Sequence, residues 1–195
     1  MNETRTRIVE EALHLVRIRG YASVSYADLE RVVGIRKASI HHHFPSKTDL
    51  GVAMVQVYSA QFLSRLRSVG VRRAGIIGQL SFYAGLYREA LERGEACLCG
   101  TLAAEVVPES ISSRVAEFFA ANVDWLAARF TEGVSLGEIA SDVDPRRSAQ
   151  AFLATVQGAA LTARSLGDVE VFNAAIGATI RQLQPARERA EAGAS

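Results

Sequence analysis

A group of hydrogen-bonding side chains lies near the N-terminus, on the outward positions of a short predicted helix. Arginine and lysine pair with guanine, and serine can donate to several bases, so these residue types suit the reading of base edges in a DNA major groove. Ala38 is small enough for close approach to a thymine methyl group, and Ile40 points into a small core. The outward hydrogen-bonding residues are Arg36, Lys37, Ser39 and His42.

Two short helices around a glycine turn would position this group. Apolar spacing predicts one helix of this pair over Ser25–Val33, with Ser25 as its N-cap, and the other over Arg36–His43. Gly34-Ile35 forms the turn between them. This order is typical of the helix-turn-helix motif, whose second helix enters the major groove. Helical proteins that do not bind DNA also contain such pairs, so the spacing alone leaves both interpretations open.

The rest of the chain also reads as helical, which predicts an all-α fold. The 195 residues include only four prolines, and apolar residues recur at helical rather than strand spacing. A first helix ends at Arg19-Gly20, and Ser46 caps a fourth that reaches about Arg67. The glycine-rich stretch Gly70–Gly78 predicts a linker. The further helices are predicted at about 76–93, 101–107, 111–132, 145–166 and 169–183.

Charge is distributed unevenly along the chain. The formal net charge is +1, but residues 1–75 carry twelve basic and six acidic residues, whereas residues 76–195 carry ten basic and fifteen acidic ones. A basic N-terminal third on an acidic remainder favours a nucleic-acid-binding module joined to a carrier domain. There is no membrane-length apolar run, and the charged N-terminus lacks a signal-peptide core. Two cysteines cannot form a disulfide framework, so we expect a cytoplasmic protein.

The three consecutive histidines do not predict a metal site. Neighbouring residues on a helix diverge by about 100°, so the imidazoles of residues 41–43 cannot converge on one ion. The sequence also lacks a glycine-rich phosphate loop. We therefore expect neither a metal nor a cofactor, no catalytic residues, and a protein that is not an enzyme.

Residues 5–51 resemble the DNA-binding domain of TetR-family repressors. The matching runs are R-I-V-E-E-A-L-H-L-V-R-I-R-G-Y, S-Y-A-D-L-E-R-V-V-G-I and K-A-S-I-H-H-H-F-P-S-K-T-D-L. The resemblance implies that Ser25 caps the second helix and touches phosphate, and that Lys47 makes a further phosphate contact. It also implies that Lys37, Ala38 and Ser39 begin the recognition helix, followed by His41 and His42.

Two positions depart from the family pattern. Arg36 occupies the usual Ser or Thr cap of the recognition helix, so that helix starts with a weaker cap but gains a guanidinium group. His41 stands where a tyrosine usually contacts the DNA backbone, and imidazole can still donate there. Both changes bear on which operator sequence is read.

The same resemblance implies three parts: a DNA-binding domain at 1–50 with a linking helix at about 47–67, a ligand-binding and dimerisation domain at 68–184, and a flexible tail at 185–195. Helices 145–166 and 169–183 would pair with a partner subunit, since an operator of two half-sites needs two recognition helices. A small-molecule inducer of unknown identity would bind among the preceding helices. The candidate pocket residues are Tyr83, Tyr87, Phe118, Asn122, Trp125 and Gln157.

The stretch A-C-L-C-G-T-L-A-A-E-V more weakly resembles the NemR-like subgroup of electrophile sensors. There, a cysteine at the position of Cys97 responds to quinones, aldehydes or oxidants. A thiol just before a helix N-terminus is favoured as thiolate, although it can equally be a small buried apolar residue. A disulfide between residues two apart would be strained, which favours an adduct or a sulfenic acid.

The sequence therefore predicts a ligand-responsive transcriptional repressor. It would bind a palindromic double-stranded DNA operator as a homodimer and leave it when an inducer binds. Two other classes remain: a helical thiol enzyme using Cys97, and a DNA-binding protein without a ligand. The first lacks a catalytic partner beside the thiol, and the long apolar C-terminal region argues against the second.

Overall fold

The computed structural model describes residues 3–69 and 75–185, and within these ranges the chain is helical and has no strand. This confirms the all-α prediction. The helices of the described ranges, in chain order, are α1 (Glu3–Arg19), α2 (Tyr26–Val33), α3 (Lys37–His43), α4 (Lys47–Val69), α5 (Gly75–Glu92), α6 (Leu98–Ala103), α7 (Glu109–Leu136), α8 (Pro145–Leu166) and α9 (Val169–Leu183).

The chain divides into two compact units that interleave along the sequence. The first unit consists of Met1–Ser64 and Glu95–Phe119, and the second of Arg65–Gly94 and Ala120–Ser195. Helices α4 and α7 contribute residues to both units. The functional boundaries expected near residues 50 and 68 stay predictions. Most of the predicted linker and the tail 186–195 lie outside the described residues.

The first unit is built around the N-terminal helices. Helix α1 ends at Gly20, whose φ of 88° is a left-handed conformation that glycine adopts without strain. Helix α2 ends in the same way at Gly34, with φ 74°. The core that α1, α2 and α3 share is apolar and almost fully buried, and includes Ile8, Ala12, Leu29, Ile40 and Phe44.

Helix α6 lies earlier in the chain than the sequence predicts. The expected helix at 101–107 is instead Leu98–Ala103, because Cys97 acts as its N-cap and accepts a hydrogen bond from the Gly100 amide. Cysteine is not among the usual capping residues, so its sequence gave no such signal. Helix α7 extends beyond the predicted 111–132 at both ends.

A close approach within the first unit depends on Gly51. A Cβ atom at this position of α4 would lie 2.4 Å from Ile111 Cδ1 and 3.2 Å from the Tyr21 hydroxyl oxygen. Real side chains do not tolerate the first of these distances. The absence of a side chain therefore lets α4 pass directly against the first turn of α7.

The second unit contains α5, α8 and α9, which contact one another. Asp144 caps α8 by accepting from the Arg147 amide, with Pro145 in the first turn, and Asp168 caps α9. These caps confirm the predicted bounds 145–166 and 169–183. The largest buried side chains of this unit are aromatic: Tyr83, Phe130, Phe152 and Phe172.

Candidate DNA-binding face and sensor region

The start of α3 presents a row of exposed side chains. Ile40 is fully buried and fixes the rotation of this short helix about its axis. The opposite side is consequently turned outward, as the sequence predicts. The exposed residues are Arg36, Lys37, Ala38, Ser39, His41 and His42.

A carboxylate from α2 compensates for the weak cap of α3. Arg36 occupies the N-cap position and makes no side-chain capping hydrogen bond, as expected. Instead, the Lys37 amide donates to Glu30 Oε1 at 3.1 Å. This bond satisfies one of the unpaired amides of the helix start and leaves the Arg36 side chain exposed. The seven-residue separation lies outside the capping-box spacing, so sequence reasoning missed Glu30.

Ser25 caps α2 through a capping box with Asp28. The Asp28 amide donates to the Ser25 hydroxyl oxygen at 3.3 Å, and the Ser25 amide donates to Asp28 Oδ2 at 2.9 Å. The Ser25 hydroxyl also donates to Asp28 Oδ2 at 2.5 Å. These hydrogen bonds, with the nearby Arg31 and Arg19, hold the pKa of Asp28 below its usual range. The carboxylate thus stabilises the positive end of α2.

His41 lies against the ring of Tyr26, with the two ring centroids 4.5 Å apart. Its Nδ1 atom is 3.4 Å from the carbonyl oxygen of Pro45. The Tyr26 hydroxyl donates to the Phe44 carbonyl oxygen at 2.8 Å, and burial, followed by the Asp49 charge, raises the pKa of Tyr26 to about 12. The imidazole of His41 therefore sits on a neutral, fixed support while remaining exposed.

Lys47 is fixed against the turn that follows α1. Its Nζ donates to the Ala22 carbonyl oxygen at 3.3 Å and lies 4.5 Å from the centroid of the Tyr21 ring. The Tyr21 hydroxyl donates in return to the Lys47 carbonyl oxygen at 2.9 Å. Burial lowers the pKa of Lys47, and the negative charge of Glu105 opposes this change. The sequence places Lys47 on this face but gives no sign of these contacts.

Glu105 takes part in the same arrangement. Its two carboxylate oxygens accept from the amides of Tyr21 and Ala22, both at 2.8 Å. Eighty-three or more residues separate these partners in the sequence. No local pattern marks a lone glutamate for such a role, so sequence reasoning did not find it.

Cys97 is buried at the start of α6. Its Sγ accepts from the Gly100 amide at 3.4 Å, and the Tyr58 hydroxyl lies close to it. The guanidinium carbon of Arg17 lies 5.5 Å from the centroid of the Tyr58 ring. Cys99 is fully buried, and burial, followed by the proximity of Cys97, raises the pKa of its thiol. The two cysteines, neither in a disulfide, therefore have different surroundings.

The segment before Cys97 is fastened to α1 by Glu95. One carboxylate oxygen lies 2.7 Å from Arg17 Nη1, and the other lies 3.0 Å from His14 Nδ1. The next residue continues the attachment, since the Ala96 amide donates to the Arg17 carbonyl oxygen at 3.0 Å. Arg17 Nε donates in turn to the Ala96 carbonyl oxygen at 2.8 Å.

A chain of buried and half-buried side chains, joined by hydrogen bonds and ring stacking, runs through the second unit. The Tyr83 hydroxyl donates to Asn122 Oδ1 at 2.9 Å and lies 3.3 Å from the Tyr87 hydroxyl. Gln157 Nε2 donates to the Tyr87 hydroxyl at 3.3 Å. Trp125 stacks on Tyr83, with ring centroids 5.8 Å apart and an interplanar angle of 18°. We call these residues, Tyr83, Tyr87, Asn122, Trp125 and Gln157, the polar ladder.

Phe118, which the sequence groups with the ladder, packs in the first unit against Tyr58 and Phe62, with centroid distances of 5.6 Å and 5.3 Å. Cys97 contacts the same tyrosine, so the structure brings Phe118 and Cys97 to one aromatic side chain.

An open groove of about 320 Å³ lies between α5 and α9 in the second unit. Its volume is at the lower end of the range for small-molecule sites. It is lined by Ser81, Phe82, Gly85, Arg88, Glu89, Phe172, Asn173 and Ile176.

Residues 3–69 and 75–185 contain no group of three or more His, Cys, Asp or Glu side chains arranged to hold a metal ion. None of the helices in these ranges is both long and apolar enough to span a lipid bilayer.

Two family models match the chain, and together they cover most of it. The model described as bacterial regulatory proteins of the tetR family matches residues 8–54. The model described as tetracyclin repressor-like, C-terminal domain, matches residues 80–179, which is more than half of the chain. The chain belongs to the TetR family. This confirms the resemblance found in the N-terminal motifs and extends it to the second unit.

Named relatives agree with this assignment. The transcriptional regulator AcuR of Cereibacter sphaeroides is 26% identical over 166 residues, which covers 80% of this chain and 74% of AcuR. The transcriptional repressor DhaR of a Mycobacterium species is 27% identical over 161 residues, which covers 80% of both proteins. The family model matched at residues 8–54 is one of bacterial regulatory proteins, so this chain is a transcriptional regulator with a DNA-binding domain, and its named relatives are regulators rather than enzymes.

Solved structures show the same fold. A TetR-family regulator from Agrobacterium tumefaciens superposes with a TM-score of 0.89 at 34% identity, covering 93% of this chain and 98% of the other. The reduced form of NemR from Escherichia coli superposes with a TM-score of 0.83 at 22% identity, covering 95% and all of its chain. The second likeness supports a shared fold.

Proposed function

We propose that this TetR-family chain is a repressor that binds a palindromic operator as a homodimer and releases it when a small molecule binds. The observation that carries the proposal is the exposed row on α3, from Arg36 to His42, on a helix whose rotation is fixed by buried Ile40. Side chains at the start of such a helix can reach base edges in the major groove. Ser25 and Lys47 serve as phosphate contacts that set the position of the helix.

Helices α8 and α9 form the proposed dimer interface. Leu161 and Leu166 on α8 are 71% and 65% exposed, so this helix presents two large apolar side chains that a partner helix would cover. Gly158 and Ala160 are small and allow a partner helix to approach closely. A two-fold interface would place two copies of α3 about one turn of DNA apart, roughly 34 Å.

The polar ladder is the proposed recognition element for a reversible inducer. Its two phenols and the Asn122 amide are buried and the Gln157 amide is half-buried, so a ligand that enters must replace their mutual hydrogen bonds with bonds of its own. The inducer lowers operator affinity only to the extent that it binds the DNA-released conformation more tightly. A neutral ligand with an apolar body and a few hydrogen-bonding groups suits these side chains.

An electrophile is the second kind of inducer that the site supports, and it would react at Cys97. The thiolate sulfur attacks the β-carbon of a quinone or unsaturated aldehyde and forms a carbon–sulfur bond, while the electron pair moves to the carbonyl oxygen and a proton is taken from water. Addition at Sγ removes the Gly100 and Tyr58 contacts that now surround it. Cys99 is the less accessible thiol, because its side chain is fully buried, and this burial also raises its pKa.

Operator binding is tested with the full chain and a random duplex library. We expect repeated selection to enrich an inverted repeat and gel mobility to show two protein chains per duplex. The same duplex in scrambled order serves as the control. If selection enriches no sequence, or if a monomer binds the enriched duplex, the proposed repressor function is wrong.

The covalent route is tested with a quinone and matched cysteine variants. After quinone treatment, wild type and Cys99→Ser should release the enriched duplex, and the mass of each chain should rise by one quinone. The mass of Cys97→Ser should stay unchanged, and this variant should remain bound to the duplex. Release of Cys97→Ser by the quinone, or a wild type that gains mass without releasing DNA, contradicts the covalent route and leaves the polar ladder as the inducer site.

A further inference from the structure

Glu105 connects the segment after α6 to the turn that follows α1. Its carboxylate bridges two successive amides, those of Tyr21 and Ala22, with both distances at 2.8 Å. A Cβ atom at Gly20 would lie 2.8 Å from Glu105 Oε1, so the carboxylate packs directly on this glycine. Successive backbone amides that converge on one anion form a concave binding site for it. The turn is therefore shaped around this carboxylate.

The turn that Glu105 holds leads directly to both proposed phosphate contacts. Tyr21 donates through its hydroxyl to the Lys47 carbonyl oxygen, and Lys47 Nζ donates back to the Ala22 carbonyl oxygen. On the other side, the Val24 amide donates to the Tyr21 carbonyl oxygen at 3.3 Å, one residue before the Ser25 cap. A displacement of the turn would therefore displace Ser25 and Lys47 together.

The same segment is attached to α1 at its other end. Glu95 contacts Arg17 and His14, and helix α6 contacts α1. Residues 95–105 thus form a strap with an acidic contact at each end. Helix α6 lies between these two contacts, and its six residues are about 9 Å long, since a helix rises about 1.5 Å per residue.

We infer that Glu105 is a positioning residue for operator binding, which fixes the 20–22 turn and makes the placement of Ser25 and Lys47 depend on the strap of residues 95–105. The inference rests on the proposed operator binding. It gives the strap a consequence for DNA affinity as well as for stability. Any ligand that shifts Cys97 would act on the DNA-binding face through the far end of this strap.

Charge alone predicts the opposite effect for Glu105. A carboxylate beside a phosphate-binding lysine repels DNA, so its neutralisation should strengthen binding to every duplex if charge were its only contribution. A positioning role predicts weaker binding to the operator, because the turn loses one of its two amide acceptors. The sign of the change therefore separates the two explanations.

The test compares Glu105→Gln and Glu105→Asp with wild type, using the full chain, the duplex that wild type enriches, and a random duplex. Glu105→Gln should weaken binding to the enriched duplex about tenfold, as expected when hydrogen bonds to a charged group are lost. Binding to random DNA should weaken as well, because Ser25 and Lys47 contact phosphate and such contacts carry no sequence information. Glu105→Asp keeps the charge but shortens the side chain, so it should also weaken operator binding. Glu10→Gln removes the same charge at an exposed position of α1, and it should leave operator binding unchanged.

Three outcomes overturn the inference. Equal tightening on both duplexes by Glu105→Gln reduces Glu105 to a charge effect. An unchanged affinity per folded molecule, with folded protein counted by circular dichroism, reduces it to a stabilising residue. If Glu105→Gln lowers operator affinity by the same factor in a Lys47→Ala background as in wild type, Glu105 does not act through Lys47, because the effects of coupled residues are not additive. If wild type enriches no duplex, the proposed operator binding is wrong and the inference falls with it, which distinguishes this case from the three above.

Discussion

The DNA-binding face and the polar ladder use hydrogen bonds in opposite ways. On the DNA-binding face, side chains such as Ser25, Glu30 and Glu105 bond to backbone amides, and the row on α3 stays exposed. In the ladder, Tyr83 and Asn122 are buried and bond to each other. On the DNA-binding face, the hydrogen bonds fix the position of the backbone, and the side chains on α3 remain available for an external partner. The ladder already satisfies its polar groups, so a partner must compete with them.

The largest effect should come from opening the ladder. Asn122→Leu removes the acceptor of the buried Tyr83 hydroxyl, and we expect a loss of about 3 kcal/mol in the free energy of unfolding, measured by urea denaturation. Leucine has a similar volume, so cavity formation contributes little. Asn173→Leu, on partly exposed α9, is the control. A loss no greater than that of the control would show that the ladder does not stabilise the second unit.

Arg36 should affect discrimination more than stability, because its side chain is exposed and caps nothing. If Arg36 binds a guanine edge, Arg36→Ala should reduce the binding free energy for the enriched duplex by about 2 kcal/mol more than it does for a scrambled duplex. Arg31→Ala on α2 is a matched arginine control. Equal losses on both duplexes would assign Arg36 to the DNA backbone, while no loss on either would remove it from the interface.

Lys47→Ala should weaken binding to every duplex alike, by about tenfold near 0.2 M salt. A phosphate contact carries no sequence information, and a dimer loses two of them. The slope of log K against log salt should shrink by about two. Titrations of operator and random DNA at several salt concentrations measure this slope. A changed base preference with an unchanged slope would contradict the phosphate contact.

The smallest effect concerns the pH dependence of the α2 cap. The pKa of Asp28 is lower in the folded chain than in the unfolded one, so its contribution to stability is complete above about pH 4 and is lost as the pH falls through the lowered value. The difference in unfolding free energy between wild type and Asp28→Asn should therefore shrink from pH 5 to pH 2. In a Ser25→Ala background the difference should be smaller throughout. A difference that grows on acidification would contradict the cap.

Local signals were sufficient for much of the first unit. Ser25, Gly34 and Ser46 act within four residues of their partners, and the sequence predicted each of them, as the structure confirms. Glu30 and Glu105 act over longer separations, and no periodicity reveals such pairs. The start of α6 was missed because a thiol caps it. The sequence grouped Tyr83 and Phe118 as candidate pocket residues, but only the three-dimensional fold assigns them to different units.

Gly51 also affects how α4 can move. Side chains that interlock across a helix contact must leave one set of gaps before they enter the next, and this makes packed interfaces switch between discrete arrangements. At position 51 the end of the Ile111 side chain occupies the space that a Cβ atom would take, so α4 and α7 interlock at this point. An axial slide of α4 would first have to push Ile111 out of this notch. Lys47 lies four residues before the glycine, about one helical turn away, so the contact also resists a shift of Lys47 along the helix axis.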